Sequence, residues 1–371
     1  MGLPIHVVYG SDFSVRGYHD REFAADFGWD VDLLGGYSNE VLMPKAADRE
    51  AVTSAGLAEA LLRLQPAVVL VLGYHHPLDR AALRLAPHLG ACLWFRGEVN
   101  EVSRMATRKG AIFEWLRAMR LRALYRRCSA CLPIGQRARE HYLKHGVDQH
   151  RLHFSPYAVD DSAFRASEGD RALLRADFRS VAGVAPGDVV VAFSGKFSRR
   201  KGAQLLPAAL QALARRMGRR VCLLGIGDGE LRQWLQAQCQ AMGLGCHLTG
   251  FVNQRAISGW YHAADVLCLP SLYGETWGLV VNDALHHGLA AVVSDKVGCA
   301  PDLVLPGQTG EVAMADDEAA LADALLSALS WSEREGENGR QRCRRHVGSY
   351  DIEAAAAGLA SAWRDQRGAI S

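Results

Sequence analysis

The sequence predicts an α/β protein built from two doubly wound domains. Three observations carry that reading. Short continuous apolar runs alternate with longer helical patterns, a polar strandless stretch divides them into two groups, and 371 residues suit two domains better than one or three. Continuous apolar runs mark strands buried on both faces, and helices between them mark parallel sheets covered on both sides.

In the first half the expected strands are "AVVLVLG" (67–73), "ACLWFRG" (91–97) and "ACLPIG" (130–135). In the second they are "VVVAFSG" (189–195), "RVCLLGIG" (220–227), "CHLTG" (246–250), "DVLCLPS" (265–271) and "AAVVSD" (290–295). Stretches such as "GAQLLPAALQALARRM" and "ELRQWLQAQCQAMG" read as the helices between them. The break falls in residues 160–188, so the expected domains are 1–165 and 189–348, with 166–188 as linker and 349–371 as a helix and tail. Two such domains facing each other across a cleft would hold ligands at the carboxyl ends of their strands.

Composition narrows the function. The net charge of +2, from 42 basic and 40 acidic residues, makes no global field for nucleic acid, and no aromatic-studded basic tract suggests one. Nine cysteines, mostly in apolar surroundings, read as structural thiols in a reducing compartment. The pair in "CSAC", Cys128 and Cys131, has no second pair or nearby histidine to complete a zinc site. The opening "MGLPIHVVYG" is not a signal peptide, and no apolar run is long enough to span a membrane. The expected location is the cytoplasm, with a weak peripheral hold on the inner face of the membrane as the alternative. The basic helix "RAMRLRALYRR" (117–127) scatters its arginines around the axis, which favours a solvated helix over a lipid-binding face.

Three loops of the second half carry the chemistry. "SGKFSRRKG" follows a strand ending at Gly195 and puts Lys196 and Lys201 around a turn, where cations suit a departing diphosphate. "GIGDGE" (225–230) allows close backbone approach but is not the dinucleotide pattern GxGxxG. "LPSLYGETWGLVVNDALHHG" places Glu275 just ahead of a helix beginning near Trp277 or Gly278, whose first N–H groups favour an anion. Asp283 follows Glu275 by eight residues, about 12 Å if all of them are helical. That span suits a nucleotide sugar gripped at both ends by acceptor-only carboxylates. A purely structural acidic helix start is the competing reading.

The motifs "GKFSRRKG", "GDGE", "LTGFV", "LPSLYGETWGLVVNDALHHGLAAVVSD" and "GQTGEV" stand in an order and spacing that resemble the family 4 glycosyltransferases of GT-B fold. The resemblance covers nearly all of the second half and extends to "SPYAVDDSAF" (155–164). It implies a GT-B fold whose C-terminal helix crosses back to the first domain. It also implies retaining transfer from a nucleoside diphosphate sugar to a glycan, lipid-linked or small-molecule hydroxyl, with that co-substrate and no metal or other cofactor. Carried over by position, Glu275 contacts sugar hydroxyls, Asp283 the ribose, and Lys196 and Lys201 the diphosphate. Gly195 and the backbone of Thr276, Trp277, Gly278 and Leu279 belong to the donor contacts, and Phe251 and Val252 to the reading of the base. Asp283 stands where the family usually has glutamate, one methylene longer.

In the first half, His75 of "GYHHP" matches a family histidine near the reacting sugar, and Arg96 and Glu98 of "WFRGEVN" could hold the acceptor or pair with each other. Asp20, Trp29, Asp30, Asp32 and Tyr37 could face an acceptor sugar or form a packed loop. The family opens with a βα unit ahead of the region matching "IHVVYGSDF", so roughly 30 to 40 residues are expected to be absent here. An epimerase of the same fold and a catalytically weak donor-binding subunit are the alternative functions.

Overall fold

The computed structural model describes residues 3–20, 25–27, 32–102, 110–254 and 256–370. They form two compact units, one of Met1–Val99, Ala106–Pro156 and Glu353–Ser371, the other of Asn100–Met105 and Tyr157–Ile352. The two α/β halves are present, but their limits differ from the expected ones. The division falls after Pro156, and residues 166–188 are no free linker. Their helix Arg171–Val181 packs on the helix Ile257–Ala263 inside the second unit.

In the first unit, β1 (Val7–Tyr9) is separated from its parallel partner β4 (Asn39–Val41) by the antiparallel pair β2 (Tyr18–Asp20) and β3 (Ala25–Phe27). A parallel three-stranded sheet then runs β5 (Val68–Val71), β6 (Cys92–Phe95) and β7 (Cys128–Cys131). β7 lies upstream of the expected 130–135. Pro133 offers no N–H to a ladder, so regular pairing stops just before it. Trp94, Ala130 and Leu132 form a core with Leu359, Ala362 and Trp363 of the helix Ile352–Ile370. Gly358 lets that helix approach closely: a Cβ there would lie 2.0 Å from the Phe154 carbonyl oxygen. The Ser155 hydroxyl donates to the Ala355 carbonyl at 3.0 Å, tying the same helix down.

The second unit holds a six-stranded, all-parallel sheet: β8 (Val189–Ser194), β9 (Val221–Ile226), β10 (Gly245–Leu248), β11 (Val266–Leu269), β12 (Ala290–Ser294) and β13 (Gly310–Ala313). Every residue of β8, β9, β11 and β12 is buried, as their continuous apolar sequences require. Burying one such Val, Leu or Ile side chain contributes roughly 1.5–3 kcal/mol. The strand order is β10-β9-β8-β11-β12-β13. The chain therefore winds outward from β8 in one direction, then returns to place β11 on its other side. In doubly wound sheets that reversal is where ligands bind, outside the carboxyl ends of the two central strands.

One partly buried carboxylate fixes the start of β11. Asp265 accepts from Arg175 at 2.5 Å, from Arg179 at 2.7 Å and from the Val190 amide at 2.8 Å. It thus fastens the helix Arg171–Val181 to the sheet. Asp265→Ala takes the carboxylate away from two half-buried guanidinium groups, which keep backbone carbonyl partners, and should lower the second unit's stability by about 1–3 kcal/mol, read from urea unfolding. An unchanged midpoint would show that the helix is held by its apolar face alone.

Candidate functional site

The loops after β8 and β11 leave the sheet at its reversal point and meet there. Lys201 comes from a 3-10 turn, Arg199–Lys201, closed by Gly202 at φ 73°. A side chain at Gly202 is excluded, because a Cβ would lie 2.0 Å from the Pro270 carbonyl oxygen. That approach draws the first loop against the second. The Leu272 amide donates to the Arg200 carbonyl at 2.9 Å, and the Arg200 guanidinium donates to the Gly274 carbonyl at 3.3 Å.

Seventy-four residues apart in sequence, Lys201 and Glu275 form a largely buried ion pair between Nζ and Oε2. Ser271 donates its hydroxyl to the same Oε2 at 3.0 Å, and Ser294, at the end of β12, holds the Ser271 carbonyl at 2.5 Å. These contacts occupy one carboxylate oxygen, so the remaining acceptor capacity of Glu275 sits on Oε1. Lys201 has three donors, of which the pair uses one. The expected cation and the expected acid are thus brought together rather than kept at separate parts of a ligand.

Glu275 lies outside the helix that follows, which runs Leu279–His286 behind a left-handed Gly278. The start is one or two residues later than expected. Only the last four of the eight residues to Asp283 are helical steps, about 6 Å at 1.5 Å each. The 12 Å all-helical span does not hold. The turn before the helix is braced from behind. The Gly298 amide donates to the Glu275 carbonyl at 3.0 Å, Cys299 N–H to the Trp277 carbonyl at 2.9 Å, and Asn100 to the Thr276 carbonyl at 2.9 Å. The Trp277 ring is buried and donates to Asn282 at 2.9 Å, so its side chain is structural. Any ligand contact at Trp277 falls to its backbone. Leu279 is 41% exposed at the first helical position, where an N–H has no acceptor within the helix.

Asp283 is buried. Its Oδ2 lies 3.5 Å from the Tyr261 hydroxyl, and its Oδ1 has no partner. Burial pushes the carboxyl up to about 7, against a smaller downward pull from Tyr261. Tyr261, itself wholly buried, also contacts Ser194 at the end of β8. A buried carboxylate oxygen without a donor is costly, and a ligand hydroxyl would satisfy it.

Gly195 is left-handed at φ 132°, and its carbonyl packs against Gly227, where a Cβ would come within 2.2 Å of that oxygen. Lys196 is half-buried beside it, and Phe251 and Val252 follow β10 with the Phe251 ring 40% exposed.

In the first unit, His75 is exposed and packs against the Tyr74 ring at 4.1 Å, while its neighbour His76 caps the helix Pro77–His88 through the Leu78 amide. The Arg96 guanidinium donates to the Ser155 carbonyl at 3.2 Å and the Pro156 carbonyl at 2.9 Å, bracing backbone at the strand end. Glu98 is exposed. Asp32 accepts from the Leu34 and Gly35 amides, and Tyr37 donates to the Leu33 carbonyl at 2.6 Å, so both make contacts within their own loop while staying exposed. The Asp20 side chain, Trp29 and Asp30 lie outside the described residues.

Sequence reading missed Ser271, Ser294, Tyr261 and Asn100. Ser271 was within reach, since it stands in "LPSLYGE" between strand and acid; the other three come from separate segments and carry no local signal.

Residues 175–346 match the family described as glycosyl transferases group 1. The chain shares the fold of GT-B glycosyltransferases. It is 30% identical over 225 residues to the D-inositol 3-phosphate glycosyltransferase of Segniliparus rotundus, covering 59% of this chain and 48% of that one. The chain thus spans about half the length of the curated relatives it matches. It is 33% identical over 143 residues to the phosphatidyl-myo-inositol mannosyltransferase of Mycobacterium leprae, 38% of this chain and 37% of the relative. Among solved structures it is similar to sucrose-phosphate synthase from Thermosynechococcus elongatus, with TM-score 0.66, 19% identity, and 99% and 90% of the two chains covered. It is also similar to Anabaena HepE in complex with UDP-glucose, with TM-score 0.64, 16% identity, and 88% and 86% covered. The fold of this GT-B protein is therefore shared with proteins whose sequences have diverged widely.

The raised pKa of Asp283 predicts a pH dependence. Its proton is held more tightly in the fold than in the unfolded chain, whose carboxyl titrates near 4. The stabilisation is therefore complete below that value and is lost as pH rises through about 7. From pH 5 to 8 this group should remove on the order of 2–3 kcal/mol from the stability of the ligand-free protein. Urea midpoints at the two pH values should show that loss in the wild type and not in Asp283→Asn. Equal losses in both proteins would place the ionisation elsewhere.

Proposed function

We propose that this protein is a retaining family 4 glycosyltransferase that moves a sugar from a nucleoside diphosphate sugar to an acceptor hydroxyl. The observation that carries the reading is the meeting of Lys201 and Glu275 at the reversal of the parallel sheet, beside a helix start. Cation, acceptor carboxylate and a helix start converge where a sugar diphosphate has complementary charge and hydroxyl donors. The unpartnered oxygen of Asp283 supplies a place for the ribose. A UDP-glucose complex in a protein of similar fold supports a nucleotide sugar as donor.

In this mechanism Lys201, with Lys196 and the N–H groups at Leu279, stabilises charge gathering on the departing diphosphate. No metal is required, because fixed cations and dipoles take that part. Holding Lys201 against Glu275 in advance removes much of the rotamer entropy that a free lysine would lose on binding. Glu275 orients sugar hydroxyls through Oε1, and Phe251 and Val252 border the base. The acceptor oxygen forms its bond to the anomeric carbon on the face the diphosphate leaves. Its proton passes to a diphosphate oxygen, so no protein nucleophile is needed. His75 is assigned to the acceptor side. Names of the matched relatives direct the acceptor panel to inositol phosphates and inositol lipids first, then to other glycan and polyol hydroxyls.

The test is release of free nucleotide from a panel of UDP-, GDP-, ADP- and dTDP-sugars, with and without acceptors. Acceptor-dependent release with an α-configured donor giving an α-linked product supports the reading; conversion of the donor to an isomer without acceptor overturns it. Lys201→Ala should lose about 2–4 kcal/mol of transition-state stabilisation, seen in kcat. Glu275→Gln should lower kcat strongly, whereas Asp283→Asn should chiefly raise the donor KM and Asp283→Glu should be tolerated. Parallel losses of kcat and melting temperature at both acids would reduce them to structural residues.

A further inference from the structure

Behind the donor site, one side chain joins two of its parts. Tyr261 lies on the helix Ile257–Ala263, and its hydroxyl stands between the Asp283 carboxylate and the Ser194 side chain. Ser194 is the last residue of β8, directly before Gly195 and Lys196. A phenol has one hydrogen to give, and the ionised Oδ2 of Asp283, 3.5 Å away, can only accept it. Ser194 must then donate to the phenol oxygen. The result is a directed chain, Ser194 to Tyr261 to Asp283, in which each hydroxyl donates once.

The ring that carries this hydroxyl has no room to withdraw. Tyr261 is wholly buried and stacks on His287, with 5.0 Å between centroids and 17° between planes. His287 in turn bonds the Asp283 carbonyl oxygen through Nδ1 at 2.6 Å, and since a carbonyl can only accept, Nδ1 carries the hydrogen. Burial pushes the His287 imidazole down to about 3, and that of His262, packed across it at 4.9 Å, down to about 4. Both rings are therefore neutral near pH 7 and put no charge beside the carboxyl. The charged groups of the neighbouring helices gather past the helix end instead. Asp161 lies 3.3 Å from His286, and Arg340 and Arg344, both bonded to Glu168, pack against Gly288. Among the described residues, Tyr261 is the one hydrogen-bond donor to the Asp283 carboxylate.

We propose that Tyr261 is a positioning residue for donor binding: its hydroxyl holds Oδ2 of Asp283 and so leaves Oδ1 turned to a ribose hydroxyl. Through Ser194 it also ties that acid to the strand leading into Lys196, so one bonded frame faces both the ribose and the diphosphate. A carboxylate held at neither oxygen would turn about its last bond and lose that freedom on binding. Tyr261 is buried away from any ligand and acts through Asp283. The inference deepens the donor-site reading of Asp283 and rests on it.

Calorimetric titration of the full chain with UDP, GDP and ADP tests it. The nucleotide that binds the wild type best should bind Tyr261→Phe roughly tenfold more weakly and Ser194→Ala about threefold more weakly. On an Asp283→Ala background no carboxylate remains to orient, so adding Tyr261→Phe should change affinity by less than about twofold. With the corresponding nucleotide sugar the loss should appear in KM and leave kcat within about twofold. The ligand-free protein supplies a readout that needs no donor. The phenol's hydrogen bond favours the ionised carboxyl, so removing it raises the folded-state titration further above that of the unfolded chain. The fall in urea midpoint with rising pH, complete above about pH 7 in the wild type, should therefore continue to higher pH in Tyr261→Phe. Lost packing alone would lower the midpoint equally at every pH. Should Tyr261→Phe fail to fold, the Ser194→Ala loss, abolished on the Asp283→Ala background, decides in its place. A wild type that binds none of the three nucleotides overturns the donor reading and the inference with it. Equal binding by wild type and Tyr261→Phe, a loss undiminished without Asp283, or an unshifted pH profile overturns the inference alone.

Discussion

Everything in the second unit depends on the adjacency of β8 and β11. Once β11 returns to pair with β8, with Val266 opposite Val191 and Leu267 opposite Ala192, the loops that follow the two strands must share one patch of space. Gly202 and Pro270 then meet backbone to backbone, and Lys201 can reach Glu275. Asp265 secures the strand at its other end by accepting from the Val190 amide and from two arginines. The chemistry at one end of the strand pair is therefore only as well placed as the ionic clamp at the other. A parallel sheet suits this division: its strands are buried on both faces and stiff, while its loops are free to carry polar groups.

The parts of this architecture legible in the sequence are those written as continuous apolar runs. β8, β9, β11 and β12 stand within the stretches expected, because a strand buried on both faces has no room for polar residues. β13 was not read as a strand, since "GEVA" contributes only four residues and leaves Glu311 and Val312 uncovered at the sheet edge. β7 was displaced by taking the apolar run through Pro133 as ladder. The expected linker contained the amphipathic helix Arg171–Val181, hidden because its contacts to Asp265 are ionic and distant in sequence.

The residues proposed for the site were legible one by one but not as an arrangement. Lys201, Glu275 and Asp283 could be singled out because polar residues at strand ends and helix starts are chemically conspicuous. That two of them are bonded to each other could not be read, as their pairing is a property of strand order. Arg96 shows the converse: an arginine at a strand end has the same local appearance whether it awaits a ligand or braces carbonyls at Ser155 and Pro156. Asp283 is a third case. Its one-methylene difference from glutamate is visible in sequence, but the lone oxygen, and the burial that pushes its titration up to about 7 against the smaller pull of Tyr261, exist only in the fold.

The first unit is assembled from segments far apart in the chain, whereas the second is nearly one continuous stretch. Trp94 and Leu132 complete their core only against Leu359, Ala362 and Trp363. During synthesis, then, the part made first must wait longest. Residues up to about Pro156 emerge with one side of their sheet uncovered, the second unit can close on itself meanwhile, and the first is finished only after residues 353–370 have left the ribosome. The order of folding runs opposite to the order of translation, and the exposed apolar face of the nascent first unit is a natural client surface for chaperones throughout that interval.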